Sequence, residues 1–222
     1  MSTVLIIGAS RGIGLELVRQ YLEEGERVIA TARSDADLLR LQTMGAETLR
    51  VDVADATSVS GLSWQLDGEK LDVALYVAGV MDRASALTPP TQLAFDRVMH
   101  TNVLGAMQVM PQVLPMVEAA NGVFGVLSSS MGQIGSAPAS NAWLYRVSKA
   151  ALNMALSSAR FDYPKACLVA LDPGWVKTDM GGVAAALTLV HSVSGLRQVL
   201  RSITPEDNGQ LIHHDGRRAA HW

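Results

Sequence analysis

The sequence predicts an α/β fold: a single doubly wound Rossmann domain, with about seven parallel strands and helices on both faces of the sheet. Short, continuously apolar runs rich in β-branched residues recur along the chain. Amphipathic stretches of helical period separate them, and glycine, serine and aspartate collect where each run ends. The 222 residues suit one domain that buries about 70–75% of the surface its unfolded chain exposes. No repeat, low-complexity segment or Pro/Gly-rich linker divides residues 1–222.

The elements follow in order. TVLIIG (3–8) is the first strand and 12–24 the first helix. RVIATA (27–32) precedes a helix over 36–44, and ETLRVDV (47–53) one over 56–66. LDVALYVAG (71–79) is the fourth strand. The helical pattern of 91–119 reads as two helices meeting near His100. GVFGVLSS (122–129) precedes a helix over 142–161, ACLVALDPG (166–174) one over 184–201, and GQLIHH (209–214) closes the sheet. In such a sheet a ligand lies beyond the carboxyl ends of the strands, where strand order reverses. Function is therefore expected in GASRGIG, TARS, VDVAD, VAGV, SSSMG and DPGWVKTDM.

GASRGIG supplies Gly8, Ser10, Arg11, Gly12, Ile13 and Gly14 between a strand and a helix. Gly8 permits the tight turn, while Gly12 and Gly14 let a pyrophosphate approach the free N–H groups of the helix terminus. The missing G-K-[ST] argues against a triphosphate loop. An acidic residue after the second strand would bind a ribose 2′-hydroxyl. Here Arg33 stands there, with Arg11 in the glycine loop, and paired planar guanidiniums suit a 2′-phosphate. NADP(H) is thus favoured over NAD(H). Asp52, with Val53 beside it, ends the third strand as an adenine acceptor or a plain loop carboxylate.

Tyr145 and Lys149 are four residues apart on a predicted helix, hence on one face, about 5–6 Å between Cβ atoms. A free phenol titrates near 10. A neighbouring ammonium, with the positive nicotinamide ring of the oxidised cofactor, favours the phenolate, so Tyr145 is expected to fall toward the working range and serve as acid and base. A serine in SSSMG, donating to the same carbonyl oxygen, would hold the substrate in line.

GASRGIG, VDV, AG at 78–79, TNVLG, SSSMG, YRVSK and DPGWVKTDMGG stand in an order and spacing that resemble the short-chain dehydrogenase/reductases along essentially the whole chain. YRVSKAALN and the ending EDNGQLIHHDGRRAAHW look most like the small C-factor and sniffer-type carbonyl reductases. The resemblance implies a catalytic set of Asn102, Ser129, Tyr145 and Lys149. Gly132, three residues on, selects Ser129 among Ser128, Ser129 and Ser130, although the 16-residue gap to Tyr145 keeps Ser130 as an alternative. It further implies that Asn102 holds a proton-relaying water and that Lys149 binds the nicotinamide ribose. Ala78, Gly79, Pro173, Gly174, Val176 and Thr178 line the cofactor, Thr178 donating to the carboxamide. Ile7 and Tyr76 replace polar residues of the family pattern, so looser support of the glycine loop is expected.

The implied activity is hydride transfer between NADPH and a ketone, aldehyde, quinone-like or alcohol substrate, with an NADP-sensing module of C-factor type as the alternative. A substrate lid is expected around 179–200, hinged at Gly181 and Gly182, its second half reading equally as a helix packed on the sheet, and Trp143 and Trp175 suggest an apolar pocket. The helices carrying Met107 and Tyr145 resemble the family's dimerising pair, which implies a homodimer or homotetramer. Basic residues number 18 against 21 acidic, net −3, without a Lys/Arg block, which argues against nucleic-acid and membrane partners. MSTVLIIGAS lacks a signal peptide's basic start and no apolar run reaches membrane-spanning length, so a cytoplasmic protein is expected. Cys167 stands alone, excluding internal disulfides. His100, His191, His213, His214 and His221 show no ligand spacing, so no metal is expected.

Overall fold

The computed structural model describes every residue of the chain except His221, so the reading of that histidine lies outside the described residues. Seven strands form one sheet: β1 (Thr3–Ile7), β2 (Arg27–Ala32), β3 (Glu47–Arg50), β4 (Val73–Tyr76), β5 (Val123–Leu127), β6 (Cys167–Asp172) and β7 (Leu211–His213). Their order is β3-β2-β1-β4-β5-β6-β7, and every pairing is parallel. The switch point falls between β1 and β4. All strands but β2 stop one to three residues before their apolar runs end. Those last residues, Val53, Ala78 and Ser128 among them, leave the ladder to wall a cleft at the carboxyl edge.

The helices are α1 (Gly12–Glu23), α2 (Asp35–Met44), α3 (Ala56–Ser60), α4 (Leu62–Gln65), α5 (Gln92–Met99), α6 (Gly105–Ala120), α7 (Trp143–Ala159) and α8 (Leu189–Arg201). Side-chain caps set four of the starts: Ser34, Asp55, Thr91 and Thr188 accept the N–H groups of Asp37, Thr57, Ala94 and His191. Both faces of the sheet are covered, which is why its strands read as unbroken apolar runs. Leu5 and Ile7 point into a core with Val109 and Val113 of α6 and Leu152 of α7. Val4 and Ile6 point the other way, to Leu17 of α1 and Leu196 of α8.

Three expected helices differ. The one over 56–66 divides at Gly61. The long pattern over 91–119 breaks where expected, but as a π-helical turn, His100–Leu104, between α5 and α6. The helix expected from 184 begins at Leu189 because Thr188 caps it. Val193, Leu196, Val199 and Leu200 then bury its inner face against the sheet, so the second half of 179–200 is the packed helix of the alternative reading, and 179–188 is irregular.

Gly105 fixes how closely α6 approaches the sheet edge. A Cβ there would sit 2.5 Å from the Val53 carbonyl oxygen and 2.6 Å from Tyr76 Oη. Gly105→Ala is therefore expected to cost about 1–3 kcal/mol by overpacking, read as a lower urea midpoint at unchanged m.

Candidate active site

The cleft runs along the carboxyl ends of β1, β2, β3, β4 and β5. Gly8 turns the chain out of β1 at φ +92°, and a side chain there would lie 2.7 Å from the Ala78 nitrogen. Its N–H donates to Thr31 Oγ1 at 3.1 Å. This bond, with Tyr76 Oη donating to the Thr101 carbonyl at 2.5 Å, ties the loop and β4 into the fold despite the apolar Ile7. Gly12 and Ile13 open α1, which has no side-chain cap, so its first N–H groups face the cleft unpaired. Gly14 lines the cleft as expected and is also needed for packing: a Cβ there would meet the Gly8 carbonyl oxygen at 2.3 Å, so its bareness lets α1 close onto the turn.

Arg11 and Arg33 both line the cleft and are largely exposed. Each rests near a carboxylate, Arg11 at 3.5 Å from Asp179 and Arg33 at 3.7 Å from Asp52. Asp52 also takes the Ala54 N–H on Oδ1 at 3.0 Å. Sequence reasoning missed Arg40, which reaches over from α2 to bond the Ser10 carbonyl. Its only signal is a position two helical turns beyond Arg33.

At the other end Tyr145 and Lys149 leave adjacent turns of α7, 6% and 3% exposed. The Lys149 ammonium lies 5.5 Å from the centre of the Tyr145 ring and donates to the Leu127 carbonyl at 2.6 Å. Two of its protons remain for a ligand. Lys149 alone does not produce the expected fall in the phenol's pKa: Tyr145 is raised, by burial first and by the Asp172 charge second, with Ser129 partly opposing. Loss of water disfavours the phenolate more than the lysine, itself desolvated, favours it. Burial lowers Lys149 to about 8, against the pull of Asp172.

The three serines separate by environment. Ser128 is buried and donates to Asn153 Oδ1 at 2.5 Å. Ser130 is exposed. Ser129 lies beside the Tyr145 phenol, its Oγ accepting the Met131 N–H at 3.1 Å. Asn102, wholly buried in the π turn, grips Val80 through two 2.8 Å bonds and donates to Ser148 Oγ at 2.9 Å. Both amide protons are committed, so its side chain anchors the segment after β4 to α7 and gives no support to a water relay.

Ser10, Val53, Ala78, Gly79, Pro173 and Thr178 line the cleft as expected. Gly174 and Val176 do not. Gly174 has φ +76° and backs onto Leu187 and His214, while Val176 is buried and bridges Leu187. Trp143 and Trp175 also stay off the cleft wall. Trp175, more than half exposed, donates instead to the Gly181 carbonyl. Cys167 is a strand residue as expected, with burial pushing its thiol up to about 11. His213 is paired with Asp172, a buried carboxylate that sequence reasoning passed over. No cluster of metal-ligating side chains and no helix long and apolar enough to cross a membrane occurs among the described residues.

The residues present fit a dinucleotide. The uncapped α1 terminus suits a pyrophosphate, the loop guanidiniums suit an anionic group at the adenosine end, and the spare protons of Lys149 suit sugar hydroxyls. A family model described as short chain dehydrogenase matches residues 2–186. The 1-hydroxy-2-glutathionyl-2-methyl-3-butene dehydrogenase of Rhodococcus sp. (strain AD45) is 34% identical, over 97% of this chain and 98% of that protein. The carbonyl reductase Sniffer of D. melanogaster superposes with a TM-score of 0.92 at 27% identity, over 100% of both chains. A short-chain dehydrogenase/reductase from Burkholderia multivorans with bound NADP gives 0.89 at 28%, over 100% of this chain and 99% of the other.

Because Lys149 is lowered in the fold, the unfolded chain holds its proton more tightly. Below about pH 8 the buried charge costs on the order of 3 kcal/mol, a cost relieved as pH rises from about 8 toward 10.5. Lys149→Met is expected to raise the melting temperature at pH 7 and to lose that gain above pH 10, as thermal melts across pH will record.

Proposed function

This chain belongs to the short-chain dehydrogenase family, and from that premise we propose that it is an NADPH-dependent carbonyl reductase with Tyr145 as proton donor. The observation that carries the proposal is that Tyr145 and Lys149 line one end of the cleft whose other end is the glycine loop, with Ser129, itself off the cleft wall, beside the phenol. When bound, the nicotinamide cofactor supplies hydride in reduction and accepts it in oxidation. Tyr145 gives its hydroxyl proton to the substrate oxygen as that oxygen gains charge. Burial holds the phenol protonated, the state from which a proton can be given. Ser129 donates to the same oxygen and fixes its direction. Lys149 holds sugar hydroxyls with its spare protons and offsets the charge left on Tyr145. Asn102 keeps the Val80 segment against α7, so the wall facing Tyr145 stays in place.

Arg11 and Arg33 select the 2′-phosphate, assisted by Arg40 from α2. A self-associating face on α5, α6 and α7 is part of the same reading: Phe95, Met107, Val147 and Met154 are 42 to 67% exposed there, an unusual run of large apolar side chains. We place the enzyme in the cytoplasm as a homodimer.

Tyr145→Phe is expected to reduce turnover of a carbonyl panel at least a thousandfold, with NADPH binding retained by fluorescence titration. Equal rates in variant and parent would instead favour a nucleotide-sensing role. Arg33→Ala should lower the preference for NADPH over NADH in kcat/KM by about tenfold, one charge-assisted contact; an unmoved ratio removes the 2′-phosphate assignment. Met107→Glu with Met154→Glu is expected to shift the sedimentation coefficient from dimer to monomer.

A further inference from the structure

Asp172 occupies the last position of β6, directly opposite His213 on β7. Its carboxylate is used on both oxygens: Oδ2 meets His213 Nδ1 at 2.9 Å, and Oδ1 accepts the Gly174 N–H at 3.1 Å. The two side chains are only 6% and 10% exposed, and neither walls the cleft. One strand away, the Lys149 ammonium docks on the Leu127 carbonyl at the end of β5. Leu127 is the register partner of Leu171, the residue before Asp172, and Ser128 N–H closes the next bond to the Leu171 carbonyl at 2.8 Å. The carboxylate and the ammonium thus end neighbouring strands at the same height, in a region from which water is excluded.

We propose that Asp172, held by His213, is a positioning residue of this site: a fixed buried charge that keeps Lys149 an ammonium and Tyr145 a phenol where neither is solvated. The proposal rests on the roles read for Tyr145 and Lys149 above. A buried carboxylate is tolerated only when paired and hydrogen-bonded, and this one is; burial raises its pKa, but His213, the Gly174 N–H and Ser130 outweigh that and hold it below its ordinary range. Its field favours the protonated form of both partners on α7. A neutral His213 leaves the full negative charge in place, while a protonated one would cancel it. The charged and titratable groups around the pair are Tyr145 and Lys149 from α7 and, past β7, His214, Asp215 and Arg217. His213 N–H donates to the Arg217 carbonyl, and Arg217 lies 3.7 Å from Asp215.

The test follows protons, not turnover. The chain has four lysines, at 70, 149, 165 and 177, so NMR of the whole protein labelled with ¹³C-lysine resolves Lys149. Asp172→Asn is expected to lower its titration midpoint by about one pH unit or more and to lower the Tyr145 midpoint in an ultraviolet difference titration. A Lys149 midpoint equal to the parent's, in a variant with unchanged circular dichroism and melting, overturns the proposal. Should Asp172→Asn fail to fold, the coupling is read in reverse. Lys149→Met removes a cation, so the midpoint of His213, followed through its ring protons, is expected to rise; an unmoved midpoint overturns the proposal equally. Failure of the parent to reduce any carbonyl would sink the enzymatic reading and leave these midpoints standing, so the two failures are distinguishable.

Discussion

An ammonium removed almost wholly from water, bonded to the protein through one carbonyl, is the constraint around which this molecule is arranged. Lys149 is 3% exposed and rests on Leu127 at the edge of the sheet. Desolvation of a charge is expensive, and a buried lysine survives only with compensating dipoles, an opposite charge or a readily lost proton. All three operate here. The Leu127 carbonyl supplies the dipole, Asp172 the charge, and a pKa of about 8 lets the proton leave easily. A core residue chosen for stability alone would not be a lysine. The local structure therefore gives up stability to keep a charged group at the cleft wall.

Holding that group requires a stiff frame, which comes from backbone contacts more than from polar side chains. Gly8 lies against Ala78, Gly105 against Val53 and Tyr76, and Gly132 against the backbone of Lys149, each closer than a Cβ allows. Hydrogen bonds then lock the contacts: Gly8 to Thr31, Tyr76 to Thr101, Asn102 to Val80 and Ser148. The π turn brings Asn102 inward, and irregular turns of this kind recur where a helix serves a site. Ala142, the residue before α7, adds a left-handed backbone (φ 54°) in a residue that is not glycine, a conformation costing about 1–2 kcal/mol. Strain here lies next to the helix that carries Tyr145 and Lys149, where packing of Leu144 and Leu152 over-determines it.

The adenosine end obeys opposite economics. Arg11 and Arg33 are more than two-thirds exposed and face Asp179 and Asp52 at 3.5 and 3.7 Å. Exposed pairs at such distances contribute little and separate at small cost. They leave the guanidiniums over the cleft, paired too loosely to compete with any anion that offers Arg a bidentate contact. Asp179 also belongs to the irregular stretch before α8, so its pairing with Arg11 links the two sides of the cleft mouth.

The fold was legible because its signals are local. Seven apolar runs divided by helical periods dictate a covered parallel sheet, and Gly8, Gly12 and Gly14 mark the turn where β1 meets α1. The spacing of Tyr145 and Lys149 was equally local, since one helical turn puts them on the same face whatever surrounds them. The direction of the phenol's pKa, the partner of Lys149 and the companion of Ser129 depend instead on burial and on residues remote in the chain. Asp172 and His213 are 41 residues apart, and nothing in either neighbourhood announces the other. Which reading of residues 189–200 holds was hidden for the same reason: α8 has an amphipathic face, and only its seating against α1 and the sheet shows that face to be core. Sequence periodicity determines which residues share a surface; desolvation, which sets the charges here, is a property of the assembled volume and exists only once the strands have come together.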